Sequence, residues 1–115
     1  MLKELDTQFV RNGYLYSQLY KDEYVVVYFV TDAKRDIYFE VFKPKIQKLY
    51  PHYSTKKLIA EGYTDMELYP TVSSFGSWAW CCRSKSSVQN VINRHFENMP
   101  NLQSLLRKIS IFSGE

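Results

Sequence analysis

At 115 residues the chain is long enough for one hydrophobic core and too short for two ordinary domains, so residues 1–115 are read as a single domain. Hydrophobic residues at 45% and aromatics at 17%, with only four Gly and four Pro, exclude a disordered linker, and a net charge of +3 permits an anionic partner without requiring one. No apolar run approaches the roughly 18–20 residues that span a bilayer, and the first six residues lack the apolar centre of a signal peptide, which predicts a cytoplasmic location.

Residues 7–11 predict a short strand. Asn12 and Gly13 behind them form a hairpin signal, because both tolerate the positive φ that a type I′ turn requires. The returning strand is expected over 14–20, with Tyr14, Tyr16 and Tyr20 on one face and Leu15, Ser17 and Leu19 on the other. Lys21, Asp22 and Glu23 then turn the chain into Tyr24, Val25, Val26, Val27, Tyr28, Phe29 and Val30. Such an unbroken run of β-branched and aromatic residues fits a strand covered on both faces, in the middle of a sheet. After a polar return over 31–36, residues 37–42 alternate as a fourth strand; Pro44 cannot donate to a ladder, which puts the continuation at an edge or past the sheet.

Residues 48–76 carry weaker periodicity. A short helix is expected on either side of Pro51, with Gly62 at its end, and a short strand over 66–69. A fifth strand follows at 77–83, placing Trp78, Trp80 and Cys82 on one face and Ala79, Cys81 and Arg83 on the other. Ser84 or Ser86 can cap a main helix over about 85–98, where Val88, Val91, Ile92 and Phe96 make one apolar stripe. Pro100 interrupts it, and Leu102, Leu105, Leu106 and Ile109 resume the helical period in a second, short C-terminal helix. The fold class is therefore α+β: an antiparallel meander of four or five strands with both helices packed on one face, the other face remaining wet or available.

Tyr38, Phe39, Glu40, Val41, Phe42 and Lys43, followed by Tyr69-Pro70, Phe75-Gly76, Trp78, Ala79, Trp80 and a helix ending near Phe96, resemble a group of small bacterial proteins encoded on plasmids and other mobile elements. The likeness covers roughly residues 37–96 and implies a cytosolic accessory protein of a mobile element; no activity is established for that group, so no catalytic residue carries over. In layout alone, strands leading through a tryptophan-containing strand to a helix, the chain is similar to DNA-associated WGR domains. It lacks their Trp-Gly-Arg: Phe75-Gly76 precedes Trp78, and Arg83 lies beyond it.

Two surfaces invite a functional reading. Lys43, Lys45, Lys48, Lys56 and Lys57 occur without an acidic residue among them, interleaved with Tyr50, His52 and Tyr53. Cations neutralise phosphates and exposed rings stack on unpaired bases, so this tract is a candidate nucleic-acid surface; the plainer alternative is a solvated edge whose tyrosines pack on the core. Glu61, Asp65 and Glu67 follow closely and would dilute the positive field unless the fold turns them away. Tyr14, Tyr16 and Tyr20 form the second candidate, either covering the core or presenting a protein interface.

Enzymatic signals are poor. Adjacent Cys81 and Cys82 diverge on a strand, so they suit neither a shared metal ion nor a disulfide, and no zinc or other cofactor is expected. Asp32, Asp36 and Glu40 have the spacing of surface residues around a turn rather than of a matched acid and base. The leading expectation is a non-enzymatic interaction module that binds a protein partner or itself through an aromatic sheet face or edge. The second is a nucleic-acid-binding accessory protein using residues 43–57.

Overall fold

The computed structural model describes residues 1–34, 36–97 and 99–113. In chain order the elements are β1 (Leu2–Lys3), β2 (Gln8–Arg11), β3 (Tyr14–Lys21), β4 (Val26–Thr31), β5 (Ile37–Phe42), β6 (Ile46–Lys48), α1 (Lys56–Ala60), β7 (Asp65–Glu67), β8 (Ala79–Cys82), α2 (Lys85–His95) and α3 (Leu102–Ser113). Five strands form an antiparallel sheet in the order β2-β3-β4-β5-β8, and a second, mixed sheet has the order β1-β7-β6. Asn98, the last position of the helix expected over 85–98, lies outside the described residues.

The valine-rich run takes the central position because it has nothing to offer water. Val25, Val26, Val27, Tyr28 and Val30 are all fully buried, and β4 is flanked by β3 on one side and β5 on the other. Burial of each such side chain contributes about 1.5–3 kcal/mol, which outweighs the weak local preferences of the flanking turns. The β2–β3 turn forms as its residues dictate, with φ of 53° at Asn12 and 82° at Gly13.

Alternation along β3 is broken once. The register with β4 shifts between Gln18 and Tyr20, so an extra residue is accommodated and the side chains beyond it change face. The three tyrosines expected on one face are thereby separated. Tyr14 and Tyr16 lie on the face shared with Val26, Tyr28 and Phe42, whereas Tyr20 packs with Leu19, Val27 and the helices on the opposite face. A similar displacement affects the tryptophans. Trp80 and Cys82 turn toward α2, but Trp78 precedes the strand and packs edge-on to Phe42, with centroids 6.1 Å apart, on the other side.

Helices α2 and α3 cover one face, contributing Val88, Ile92, Leu105, Leu106 and Ile109 to a core with Phe39, Val41 and Cys82. Ser84 caps α2, its hydroxyl accepting the Ser87 N–H at 3.1 Å. The opposite face is not left open, contrary to expectation. Leu5, Tyr69, Phe75 and Trp78, from the segments flanking the five-stranded sheet, fold across it and close a second, aromatic core around Tyr16, Val26, Tyr28 and Phe42. Long connections otherwise poor in regular structure supply this cover, which the hydrophobic period could not reveal.

The small sheet holds the remaining excursion. β6 and β7 pair antiparallel, with Lys48 opposite Asp65, and enclose residues 49–64 as the tip of a long hairpin. The helix expected on either side of Pro51 forms only after it, as α1, and Gly62 with φ of 97° ends that turn as expected. Lys21 joins the two sheets, donating to the buried Glu67 carboxylate and lying 3.6 Å from Glu4. Among the described residues no helix is long and apolar enough to cross a membrane.

Candidate functional site

The hairpin tip is built from short-range bonds that hold its side chains outward. Leu49, buried, anchors the start, its N–H donating to Thr64 O at 2.8 Å. The Thr55 hydroxyl donates to Tyr50 O at 2.6 Å and contacts His52 O at 3.2 Å, while the Thr55 N–H reaches the same His52 carbonyl at 3.1 Å. Pro51 lies between these points and fixes its own φ, so the chain doubles back within a few residues before α1 begins. The Ser54 N–H reaches His52 Nδ1 at 3.3 Å and the Ser54 hydroxyl lies 3.0 Å from the same nitrogen, which ties the ring to the turn.

With its backbone satisfied locally, the tip has no core to receive its rings. Tyr53 is 96% exposed and Tyr50 66% exposed, the two most exposed tyrosines among the described residues. Two shallow hollows adjoin them and share His52: one of about 300 Å³ between Pro51, Tyr53 and Lys56, the other of about 290 Å³ between Lys48, Tyr50 and Met66. Lys57 follows Lys56 on α1. Of the acidic residues next in sequence, Glu67 is withdrawn into its contact with Lys21, Asp65 accepts the Thr64 hydroxyl at 2.9 Å, and Glu61 stays exposed at the end of α1.

The basic tract is thus divided. Lys48, Tyr50, His52, Tyr53, Lys56 and Lys57 belong to the hairpin. Lys43 and Lys45 precede it and are drawn onto other rings: the Lys43 ammonium lies 5.6 Å from the centroid of Phe96, and that of Lys45 lies 4.8 Å from the centroid of Trp78. Lysine stems readily cover aromatic surface while their charge stays wet.

The aromatic sheet face has different chemistry. Phe9 stacks on Tyr16 at 4.7 Å, and Tyr69 stands edge-on to Phe9, Tyr16 and Tyr28 at 5.2, 5.6 and 4.9 Å. The Arg11 guanidinium covers this group, 5.3–5.9 Å from the centroids of Phe9, Tyr16 and Tyr69, leaving Tyr16 only 8% exposed. Tyr14 and Tyr38, half-buried, meet edge-on at 6.2 Å, with Arg83 over Tyr38 at 5.7 Å. Arginines and tyrosines therefore cover one another across this face, and the trio Tyr14, Tyr16 and Tyr20 expected as a protein interface does not share one face, Tyr20 packing on the helix side.

Glu40 departs furthest from its expected role. It is not a surface carboxylate of a turn but lies 8% exposed in the middle of the sheet, between Tyr28 on β4 and Cys81 on β8, receiving the Tyr69 hydroxyl at 2.6 Å. Burial raises its pKa, and the Tyr69 hydrogen bond and the Arg11 charge pull it partly back. The Cys81 thiol is likewise raised, first by desolvation and then by the Glu40 carboxylate. A sulfur held as the thiol is a weak nucleophile. Alternation of Tyr38, Glu40 and Phe42 along β5 was the signal that Glu40 shares an aromatic face. The distant Tyr69 that satisfies it had no such signal.

Cys81 and Cys82 point to opposite faces as free thiols, Cys81 exposed and Cys82 in the helix-side core, where desolvation raises its pKa to about 12. His95 stacks on Trp80, with centroids 4.4 Å apart and planes inclined by 15°. No protein-family model, curated protein or solved structure matches the chain.

Proposed function

We propose that this protein is a non-enzymatic binding module that engages single-stranded nucleic acid through the β6–β7 hairpin tip, with Tyr53 and Tyr50 as stacking platforms and Lys48, Lys56 and Lys57 as phosphate contacts. The observation that carries this reading is the exposure of both rings among lysines in a stretch without a carboxylate from Lys43 through Ala60. A merely solvated edge would have its tyrosines packed inward; here they stand clear of the core, beside two shallow hollows. Every base has a π-face, so such a surface is tolerant of sequence, and a single strand offers the faces that a duplex hides.

Fluorescence anisotropy with a labelled oligothymidine and with a duplex of equal length, each at two salt concentrations, tests the proposal. The expected result is preference for the single strand and weakening as salt rises, by about 0.7 in log–log slope for each phosphate neutralised. Tyr53→Ala should weaken binding by about 1–3 kcal/mol without altering the salt slope, while Lys56→Ala should reduce that slope. Binding that favours the duplex, or that survives both substitutions, removes the hairpin tip as the contact surface.

A further inference from the structure

The two ends of the five-stranded sheet are finished differently. At β8 the outer margin is blunted: Phe75 makes a bridge with Ala79, and the Gly76 N–H donates to Ala79 O at 2.8 Å. At β2 nothing comparable occurs among the described residues. This strand pairs only with β3, contains neither proline nor lysine, and carries Val10 70% exposed. Natural edges of this kind are normally protected by a bulge, a charge turned inward or a covering segment.

The register says which backbone groups are left over. Arg11 pairs with Tyr14 across the two-residue turn, Phe9 pairs with Tyr16, and the Gln18 N–H donates to Thr7 O at 2.7 Å. Antiparallel pairs alternate, so Thr7, Phe9 and Arg11 direct their N–H and C=O groups at β3, while those of Gln8 and Val10 point away from the sheet. Two outward residues spaced by one are self-complementary. A second β2 laid antiparallel, centred on Phe9, sets Gln8 against Val10 of the second copy and Val10 against its Gln8, each N–H meeting a C=O.

The side chains agree with that register. It sets Arg11 against Thr7 of the second copy, with Asp6 the next residue along; Asp6 is exposed and, among the described residues, makes no ion pair. Next to the strand lies a hollow of about 280 Å³ between Leu5, Phe9, Val10 and Tyr69, on the side where an added strand would project its central ring. Backbone pairing supplemented by a side-chain pocket is how sheet edges take up a further strand. We infer that β2 is an isologous interface: two copies of this chain join edge to edge through Gln8 and Val10, forming one continuous sheet with Phe9 facing Phe9 and the positive Arg11 end of each strand meeting the Asp6-Thr7 end of the other across the two-fold axis.

Size-exclusion chromatography with light scattering across a wide concentration range is the first measurement, and a dimer is the expected result. Val10→Pro removes a donor that points away from β3 and leaves the internal ladder intact, so it should raise the dimer dissociation constant roughly tenfold or more with an unchanged circular dichroism spectrum. Asp6→Arg, which sets like charges together, should weaken the dimer most at low salt. Amide hydrogen exchange on the unaltered protein gives a readout that survives any folding defect of the variants: the Gln8 and Val10 amides should be protected at high concentration and lose protection on dilution. A wild-type monomer at every concentration overturns the inference. So does a dimer indifferent to Val10→Pro, or one whose Gln8 and Val10 amides exchange as freely as they do after dilution.

Discussion

The two faces of the five-stranded sheet are both buried, but by different means. On the helix side, Val27, Phe39 and Val41 meet Val88, Ile92, Leu105 and Ile109, all apolar and interdigitated. On the other side, Tyr28, Tyr69 and Glu40 lie beside Tyr16 and Phe42, and each of the three brings an oxygen that finds a partner in the fold. A volume-filling core is tolerant of which neighbour meets which. A core of hydroxyls and one carboxylate specifies its arrangement through directed bonds, and loses more when one is removed than the bond itself was worth.

This contrast gives ordered expectations. Phe39→Ala, on the apolar side, should cost the most, about 3–5 kcal/mol in denaturant unfolding, because the surrounding residues cannot close the void. Tyr69→Phe changes no volume but leaves the Glu40 carboxylate without its hydroxyl donor, and about 2 kcal/mol should be lost near neutral pH. That loss should shrink in acid, where Glu40 takes up its own proton; a loss independent of pH would mean that the hydroxyl acts only through packing. Tyr28→Phe should cost about 0.5–1.5 kcal/mol, since its hydroxyl donates to Asp6 O at 2.6 Å and accepts from the Gln18 amide at 3.1 Å.

Glu40→Gln should have the smallest effect and the opposite sign. Because the folded-state pKa of Glu40 is raised, the stability associated with its proton is fully present below the ordinary carboxylate range and is lost as pH rises through the folded value. The glutamine variant carries no such loss and should be more stable by under about 1 kcal/mol at neutral pH, the difference vanishing in acid. If the variant is instead less stable near neutral pH, with the deficit closing in acid, the charge of Glu40 is better compensated by Arg11 than the two-face contrast requires. Comparing thermal melts across pH would decide it.

Much of the apolar face was legible in the sequence, because its elements repeat a regular period. The valine-rich run, the alternation over Ile37–Phe42, the Asn12-Gly13 turn and the stripes of α2 and α3 each declared themselves locally. The aromatic face was not, for two reasons. A single inserted residue near Leu19 inverts the alternation beyond it, and no composition marks where a bulge falls. The cover itself comes from Leu5, Tyr69 and Phe75, far apart in sequence and in short or irregular segments. The same limit applied to the hairpin tip: its lysines and rings were evident as a tract, but that Tyr50 and Tyr53 stand outward while Lys43 and Lys45 fold onto Phe96 and Trp78 depends on β6, a strand of three residues with no periodic signature.

The register shift in β3 makes one segment answer to two chemistries. Ahead of it, Tyr16 is clasped under Arg11; past it, Tyr20 lies beneath Lys108 of α3 and bonds Asp22 at 2.7 Å, which in turn secures the tight bend into β4. A shortening of the chain by one position there would realign both rings on a single side, strip the third helix of its footing and loosen that bend at once. The number of residues between Tyr16 and Tyr20, more than their identity, decides which side of the sheet each ring joins.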